Sequence, residues 1–535
     1  MKPTTRKNLL IALTYSVTLI GGMFLGVKFL RDQGYAFQRN VQFAGNNEEK
    51  VDEIINLINR NYVDEIDADT LSHLEIDSLL HQLDPHSVYL PPAKAGEQTD
   101  LLEGNFMGIG VEYYILKDTL LVTKVFKDGP ALAAGLKLGD KILKIDSVFV
   151  SGRHLPREKM MGRIKGKKGT SVQLLILHAG ATHPTTLAIK RGRVNVSSVD
   201  VAYMINADAG YIRISEFGAN TDKDFVEAVK SLKAAGMRKM ILDLRDNGGG
   251  YLTAATGLAN QLLPENKLIV YTEGKHEPRT DYIATGGGEF EDGKLAVLIN
   301  ENSASASEIL AGAVQDLDRG VIIGRRSFGK GLVQEQFPFG DGSALNLTIA
   351  RYYTPLGRSI QKSYKKGYTA YQNEIEDRFN DGELTDKPVA AKDSMENSPS
   401  YVTGSGKKVF AGGGIKPDIY VKMDTTGMNK LYGQLLEKNV MFDYVLEILA
   451  NRYSSAYLEQ NMATFSISDA DFKDFIKYVS SRSILIDPKQ LAVAKPVIYN
   501  GIKALLYKYY LGEAGYCKAL NLNDNMVKQA LTSLQ

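Results

Sequence analysis

Three short segments carry residue types that do chemistry. The first is Asn302-Ser303-Ala304-Ser305-Ala306-Ser307-Glu308. It lies between the apolar run 295–299, which reads as a buried strand, and a helical stretch with Ile309, Leu310, Ala313, Val314 and Leu317 on one face. A strand-to-helix turn projects a nucleophile from a rigid support, and the first N–H groups of the helix meet a developing oxyanion. The same residues, Ser305-x-x-Glu308, also spell a capping box, which needs no catalysis. A hydroxyl nucleophile requires a base. Every histidine precedes residue 277 and no G-x-S-x-G elbow occurs, so the nearby candidate is Lys330, in Ser327-Phe328-Gly329-Lys330-Gly331. A lysine acts as a base only if burial draws its pKa from about 10.4 toward neutrality. The glycines beside it allow close backbone packing; the competing reading is a surface lysine in a glycine turn. The third segment, Asp243-Leu244-Arg245-Asp246-Asn247-Gly248-Gly249-Gly250, closes the apolar run 240–244. A Gly-rich loop at the C-terminal edge of a strand can aim bare N–H groups at an anion, or be a plain turn.

Other chemistries fit less well. Residues 324–330 satisfy G-x-x-x-x-G-K, yet Gly331 stands where a nucleotide-binding loop has Ser or Thr, and the following residues 332–337 read as a strand instead of a helix. Residues 288–294 match the same loose pattern, which shows how little it specifies. One cysteine, Cys517, excludes a Cys-based zinc site, and none of the seven histidines has metal-motif spacing, so no metal and no cofactor is expected. Lys plus Arg is 64 against 62 for Asp plus Glu, a balance that argues against a dedicated nucleic-acid binder.

Positioning these residues takes several domains, and 535 residues allow about three or four. Helical spacing at Val51, Ile54, Ile55, Ile58, Leu71, Leu74, Leu79 and Leu83 is closed by Asp84-Pro85 and Pro91-Pro92. From 106 to about 193 short strands alternate with Gly and Asp turns. From 210 to about 351 apolar strands alternate with helical stretches, an α/β layer with buried strands. A polar, aperiodic stretch comes next, and helical patterning returns after Met428. At the start, Lys2, Arg6 and Lys7 precede Leu9 to Val27, nineteen uncharged residues, about enough to cross a bilayer. With no A-x-A-like cleavage site, the expectation is an uncleaved anchor with the remainder outside the cytoplasm.

In order, Asp-Leu-Arg-x-Asn-x-Gly-Gly, Ser-Ala-Ser-Ala-Ser-Glu and Ser-Phe-Gly-Lys-Gly-x-Val-Gln resemble the C-terminal processing, or tail-specific, serine proteases. Supporting pieces are Leu83-Asp84-Pro85-His86-Ser87, Phe106-Met107-Gly108-Ile109-Gly110-Val111, the run from Tyr352 through Gln361, and Gly414-Ile415-Lys416-Pro417-Asp418. The resemblance covers roughly residues 48–422. It implies a multidomain α/β fold: a Clp-protease/crotonase-like α/β core with an inserted PDZ-like β-rich domain and helical N- and C-terminal regions. The divisions expected are an anchor at 8–30, a helical segment at 46–95, the PDZ-like domain at 100–193, the core at 194–365 and 407–425, a flexible insertion at 366–406 and a helical region at 426–535.

The resemblance also implies roles. The family's nucleophile stands twenty-five positions before its lysine, which is Ser305 before Lys330, and its assisting glutamine four positions after, which is Gln334. Oxyanion donors would be the N–H groups of Ala306 and Gly249. Phe106, Gly108, Ile109 and Gly110 would receive the free C-terminus of a protein or peptide substrate. The implied place is a bacterial inner membrane, single-pass, with the catalytic part on the periplasmic side; nucleic acid is not an expected partner, and a homo-oligomer or adaptor is left open. Two departures from the family stand out: Gly248 replaces its usual proline, and an insertion of residues near 366–410 interrupts it. A catalytically silent PDZ scaffold on a protease-like fold is the alternative of another class, and a nucleotide-dependent enzyme using residues 324–330 a third.

Overall fold

The structure is a computed structural model that describes residues 68–385 and 398–535. The chain divides into two compact units, residues 1–76 and 77–535, and the three chemical segments and the sheets that carry them belong to the second. The anchor expected at 8–30 and the part of the 46–95 segment before Ala68 lie outside the described residues. Among the described residues no helix is long and apolar enough to cross a membrane.

A six-stranded sheet forms the centre. Its order is Val199–Met204, Ala209–Ile214, Lys239–Asp243, Lys294–Ile299, Val321–Gly324 and Ile419–Tyr420, parallel from the second strand onward. Side chains alternate between its faces. Met240, Leu242, Leu295, Val297 and Ile299 pack under the helices Thr221–Ala234, Leu252–Asn260 and Ala306–Asp316. Ile241, Ala296, Leu298 and Ile323 face the other way, onto Met526, Val527, Ala530 and Leu534 near the C-terminus. Both faces are therefore dry, which is why these strands read as unbroken apolar runs. A second sheet stands beside the first. In it Leu332–Pro338 pairs antiparallel with Ala344–Tyr353, which is flanked by Val88–Leu90 and Leu268–Glu273.

Ahead of this core, Val111–Leu116, Thr119–Val125, Lys141–Ile145, Ser171–Leu177 and Thr185–Lys190 form one antiparallel sheet in that order. Ser171–Leu177 alternates as a half-buried strand should, with Val172, Leu174 and Ile176 inside. The helix Arg157–Ile164 closes this small core with Met160 and Ile164, one turn apart on one face. Asn105–Gly108 and Gly192–Asn195 pair at the domain's entrance and exit, which makes it an insertion held at a two-stranded neck.

The C-terminal region has its own core, in which Tyr444, Phe475, Ile498 and Tyr507 are fully buried. Its long helix, Pro488–Asn521, is broken at Gly512 (φ 64, ψ −158), and the chain beyond turns under the central sheet. Residues 366–385, expected as the start of a flexible insertion, are folded. The helices Tyr368–Gln372 and Glu374–Asn380 bury Tyr371 and Arg378, and Leu384 beyond them is buried too. Arg378 donates to the carbonyls of Arg326 (2.7 Å) and Ser327 (3.3 Å), and Glu383 pairs with Arg326 at 2.8 Å. Isolated anchors in a charged stretch leave no periodicity to read.

Candidate active site

The strand Lys294–Ile299 delivers the serine turn to the edge of the core. Ser305 immediately precedes the helix Ala306–Asp316 and holds φ 54, ψ −114, a conformation that costs a non-glycine residue about 1–3 kcal/mol. The turn is stapled to the 243–250 loop, which keeps it there. Ala304 N donates to Asn247 O (3.0 Å), Ser307 Oγ to the same carbonyl (3.0 Å), and Ser303 Oγ to Leu244 O (2.8 Å). The three serines thus separate: Ser303 and Ser307 are buried and structural, while Ser305 borders a cleft. Gly249 packs against it with φ 109; a Cβ there would lie 2.7 Å from the Ser305 Cβ. That explains a glycine at this position on steric grounds alone.

Lys330 sits in the loop between Val321–Gly324 and Leu332–Pro338. Its Nζ donates to Gln334 Oε1 at 2.7 Å, and no hydrogen bond to the Ser305 hydroxyl is formed. Burial draws the ammonium's pKa down, opposed by the negative charges of Asp84 and Glu308. The Gln334 amide is oriented in turn, because its Nε2 donates to the His86 carbonyl. The His86 ring faces Tyr371 of the inserted helix (Nε2 to Oη, 2.7 Å), and burial, then the Lys330 charge, hold its pKa down at about 3. Lys362 lies over the rings of Phe328 and Tyr371 (3.8 and 4.2 Å) and is held by Glu374 at 3.1 Å. The insertion therefore backs His86 and Lys362.

Two residues join the serine turn to the lysine loop. Glu308 is fully buried; one carboxylate oxygen accepts from Ser305 N (2.8 Å) and Lys330 N (2.9 Å), the other from Ser327 Oγ (2.5 Å) and Gly329 N (2.7 Å). Burial pushes its carboxyl up to about 7, against the four donors that favour the charged form. The Tyr352 hydroxyl lies 3.0 Å from the Ser305 carbonyl and 2.6 Å from that of Lys330, so its proton is shared between the two backbones. The capping role foreseen for Glu308 is thus half of its work.

Ser305, Ala306, Gly249, Lys330 and Gln334 line one cleft of about 450 Å³. The Ala306 N–H, at the first helical position, has no intrahelical acceptor and is free to meet an oxyanion. Gly249 is differently placed: its N–H already donates to Asn247 Oδ1 at 2.8 Å. In residues 324–330, Lys330 is turned inward onto Gln334 and a strand comes next, which leaves no phosphate cradle. The sequence motifs include His86, Asp84 and Tyr352 but give them no role. Asp84 is buried and accepts from His86 N, Ser87 N and Ser87 Oγ (2.7, 2.9 and 2.7 Å), fixing the turn that carries the His86 carbonyl. The Asp-Pro-x-Ser spacing of an Asx turn was the available signal.

Phe106, Gly108, Ile109 and Gly110 line a neighbouring cleft of about 430 Å³. Ile109 itself points mainly into the domain core, 1% exposed. The two clefts meet: Ser215 and Glu216 line both, and the helix Pro92–Leu102 runs beside both. An extended chain can pass from one to the other.

Residues 208–369 match the model of peptidase family S41, residues 107–189 that of the PDZ domain, and residues 431–512 a family of unknown function. A carboxy-terminal-processing protease of Bartonella bacilliformis is 35% identical over 350 residues, covering 64% of this chain and 80% of that one. A carboxy-terminal processing protease of Bacillus subtilis is 32% identical over 317 residues, covering 59% of this chain and 65% of that one. Among solved structures, a photosystem II D1 C-terminal processing protease aligns at 28% identity with TM-score 0.32, over 59% of this chain and 91% of that one.

Proposed function

The chain belongs to the carboxy-terminal-processing proteases, serine-type peptidases of family S41 with a PDZ domain, and from that premise we propose that it is a membrane-anchored endopeptidase working through a Ser305–Lys330 dyad. The observation that carries this reading is the pairing of a strained serine at a helix N-terminus with a half-buried lysine, its pKa drawn down by desolvation, in one cleft.

Substrate enters as an extended chain, its free C-terminus held at residues 106–110. Lys330, as a neutral amine, takes the Ser305 hydroxyl proton as Oγ attacks the scissile carbonyl. For this step Nζ turns from Gln334 to Oγ, and Gln334 keeps the amine aimed. The oxyanion forms at the Ala306 N–H. Gly249 joins as a donor once its N–H leaves Asn247 Oδ1. The tetrahedral adduct then collapses: the C–N bond breaks, the Lys330 ammonium protonates the departing amine, and an ester remains on Ser305. Water, deprotonated by Lys330, attacks that ester, and the proton returns to Oγ as the acid product leaves.

The basic residues 2, 6 and 7 and the uncharged run after them support an anchor in the bacterial inner membrane with the protease on the periplasmic side. A fluorophosphonate probe tests the nucleophile. Labelling mapped to Ser305 and lost in Ser305→Ala supports the reading, and unlabelled protein that still cuts peptides refutes it.

A further inference from the structure

Among the described residues the strand Val111–Leu116, which comes after the tail loop, is the edge of its sheet and is paired only with Thr119–Val125. Its other edge is open to an added strand. A tail whose carboxylate sits at residues 106–110 must run antiparallel to this strand, so its upstream residues travel toward Leu116. At about 3.4 Å per residue, four tail residues span about 14 Å, and roughly six match the length of the strand.

That direction leads out of the PDZ domain's own pocket. Val111, Tyr113 and Met161 line the tail cleft and also a second cavity of about 820 Å³. The far wall of that cavity comes from the C-terminal helices: Phe442, Tyr509 and Tyr510. The two walls are tied together. Tyr114 Oη donates to Asp443 Oδ1 at 2.8 Å, its ring meets Phe442 edge-on at 5.0 Å, and Lys117 pairs with Glu447. At Gly139 a Cβ would lie 2.9 Å from the Tyr509 hydroxyl, a measure of how closely the helix approaches.

The cavity has a chemical character. Its carboxylates are matched, Glu112 by Lys124 at 2.9 Å and Glu513 by Lys508 at 2.5 Å. Lys137 and Arg157 are left without a carboxylate partner among the described residues. Tyr113 Oη is buried with no hydrogen-bond partner, and Arg157 is the charged group that bears on it. Aromatic faces, two cations with no carboxylate partner among the described residues and an orphaned phenol suit a peptide carrying an aromatic or large aliphatic residue beside an acidic one.

We propose that this cavity is the upstream half of the tail site, so that the C-terminal helical region selects substrates by residues ahead of the terminal few, favouring an apolar residue next to Asp or Glu. This rests on the tail-recognition reading above. The test uses the full chain carrying Ser305→Ala, so that peptides bind uncut, and reads fluorescence anisotropy. Four-residue and ten-residue peptides share their last four residues; the longer ones carry Phe-Glu or Phe-Lys upstream. The acidic ten-residue peptide should bind at least tenfold more tightly than the four-residue one. Phe442→Ala should remove most of that gain while leaving the four-residue affinity unchanged. Arg157→Glu, at an exposed position that tolerates change, should weaken the acidic peptide about tenfold and favour its lysine counterpart. Equal affinities for long and short peptides, or a gain that survives both substitutions, would overturn the proposal. A separate arm amidates the four-residue peptide: unchanged binding there would remove the tail reading itself, and the proposal with it.

Discussion

Replacing Glu308 by glutamine keeps its size and removes half of its acceptors. The carboxylate receives four donors, two on each oxygen. An amide presents an NH₂ group to one of these pairs, so either Ser305 N and Lys330 N, or Ser327 Oγ and Gly329 N, lose their partner. Leaving a buried donor unsatisfied costs about 1–3 kcal/mol, so two cost roughly 2–6 kcal/mol if nothing moves. The loops relieve that cost by separating, which takes Lys330 away from Ser305. A loss of about 3–4 kcal/mol in transition-state stabilisation is a fall in kcat of roughly 10²–10³. KM should stay within about threefold, because Glu308 is fully buried and cannot touch substrate. Initial rates on a tail-bearing peptide give both constants, and urea denaturation of the same sample gives the stability loss. A variant with kcat within threefold of wild type and an unchanged urea midpoint would refute the claim that Glu308 joins the two loops.

Gly249→Ala should be nearly inactive and destabilised by about 1–3 kcal/mol, since its Cβ would meet Ser305 and its φ of 109 disfavours any side chain; peptide hydrolysis and a urea melt check both. Tyr371→Phe should lower kcat by about three- to tenfold with little change in KM, and by no further factor in a His86→Ala background, because the hydroxyl acts through that ring. Effects that multiply in the double variant would show that the two residues act separately.

The spacing of the chemical residues was legible because it lies in motifs along one chain. Ser305, Lys330 and Gln334, picked out by their spacing, line one cleft, and the parallel strands announced themselves as apolar runs. What stayed hidden depends on contacts between distant segments. Nothing in Gly248-Gly249-Gly250 shows that the Gly249 N–H is taken by the side chain two residues before it. Nothing in 366–385 shows that Tyr371 and Arg378 are buried, because each anchors a helix too short to display a period. The role of His86 is carried by its carbonyl as much as by its ring, and a backbone atom has no sequence signature. The packing of residues 526–534 under the central sheet was equally invisible, since an amphipathic helix does not name the surface that it covers.

In the proposed reaction, catalysis rests on Lys330 acting as a half-buried, neutral amine on Ser305. The most direct measurement is the rate of Ser305 labelling by a fluorophosphonate across pH, in the wild-type chain and in Lys330→Arg. Burial lowers the lysine's pKa, so the fraction of free amine, and the labelling rate with it, should rise with pH through a midpoint below the ordinary value of about 10.4. The arginine variant, which cannot lose its proton, should label no faster than the background. A wild-type midpoint near 10.4, or undiminished labelling in Lys330→Arg, would contradict the account.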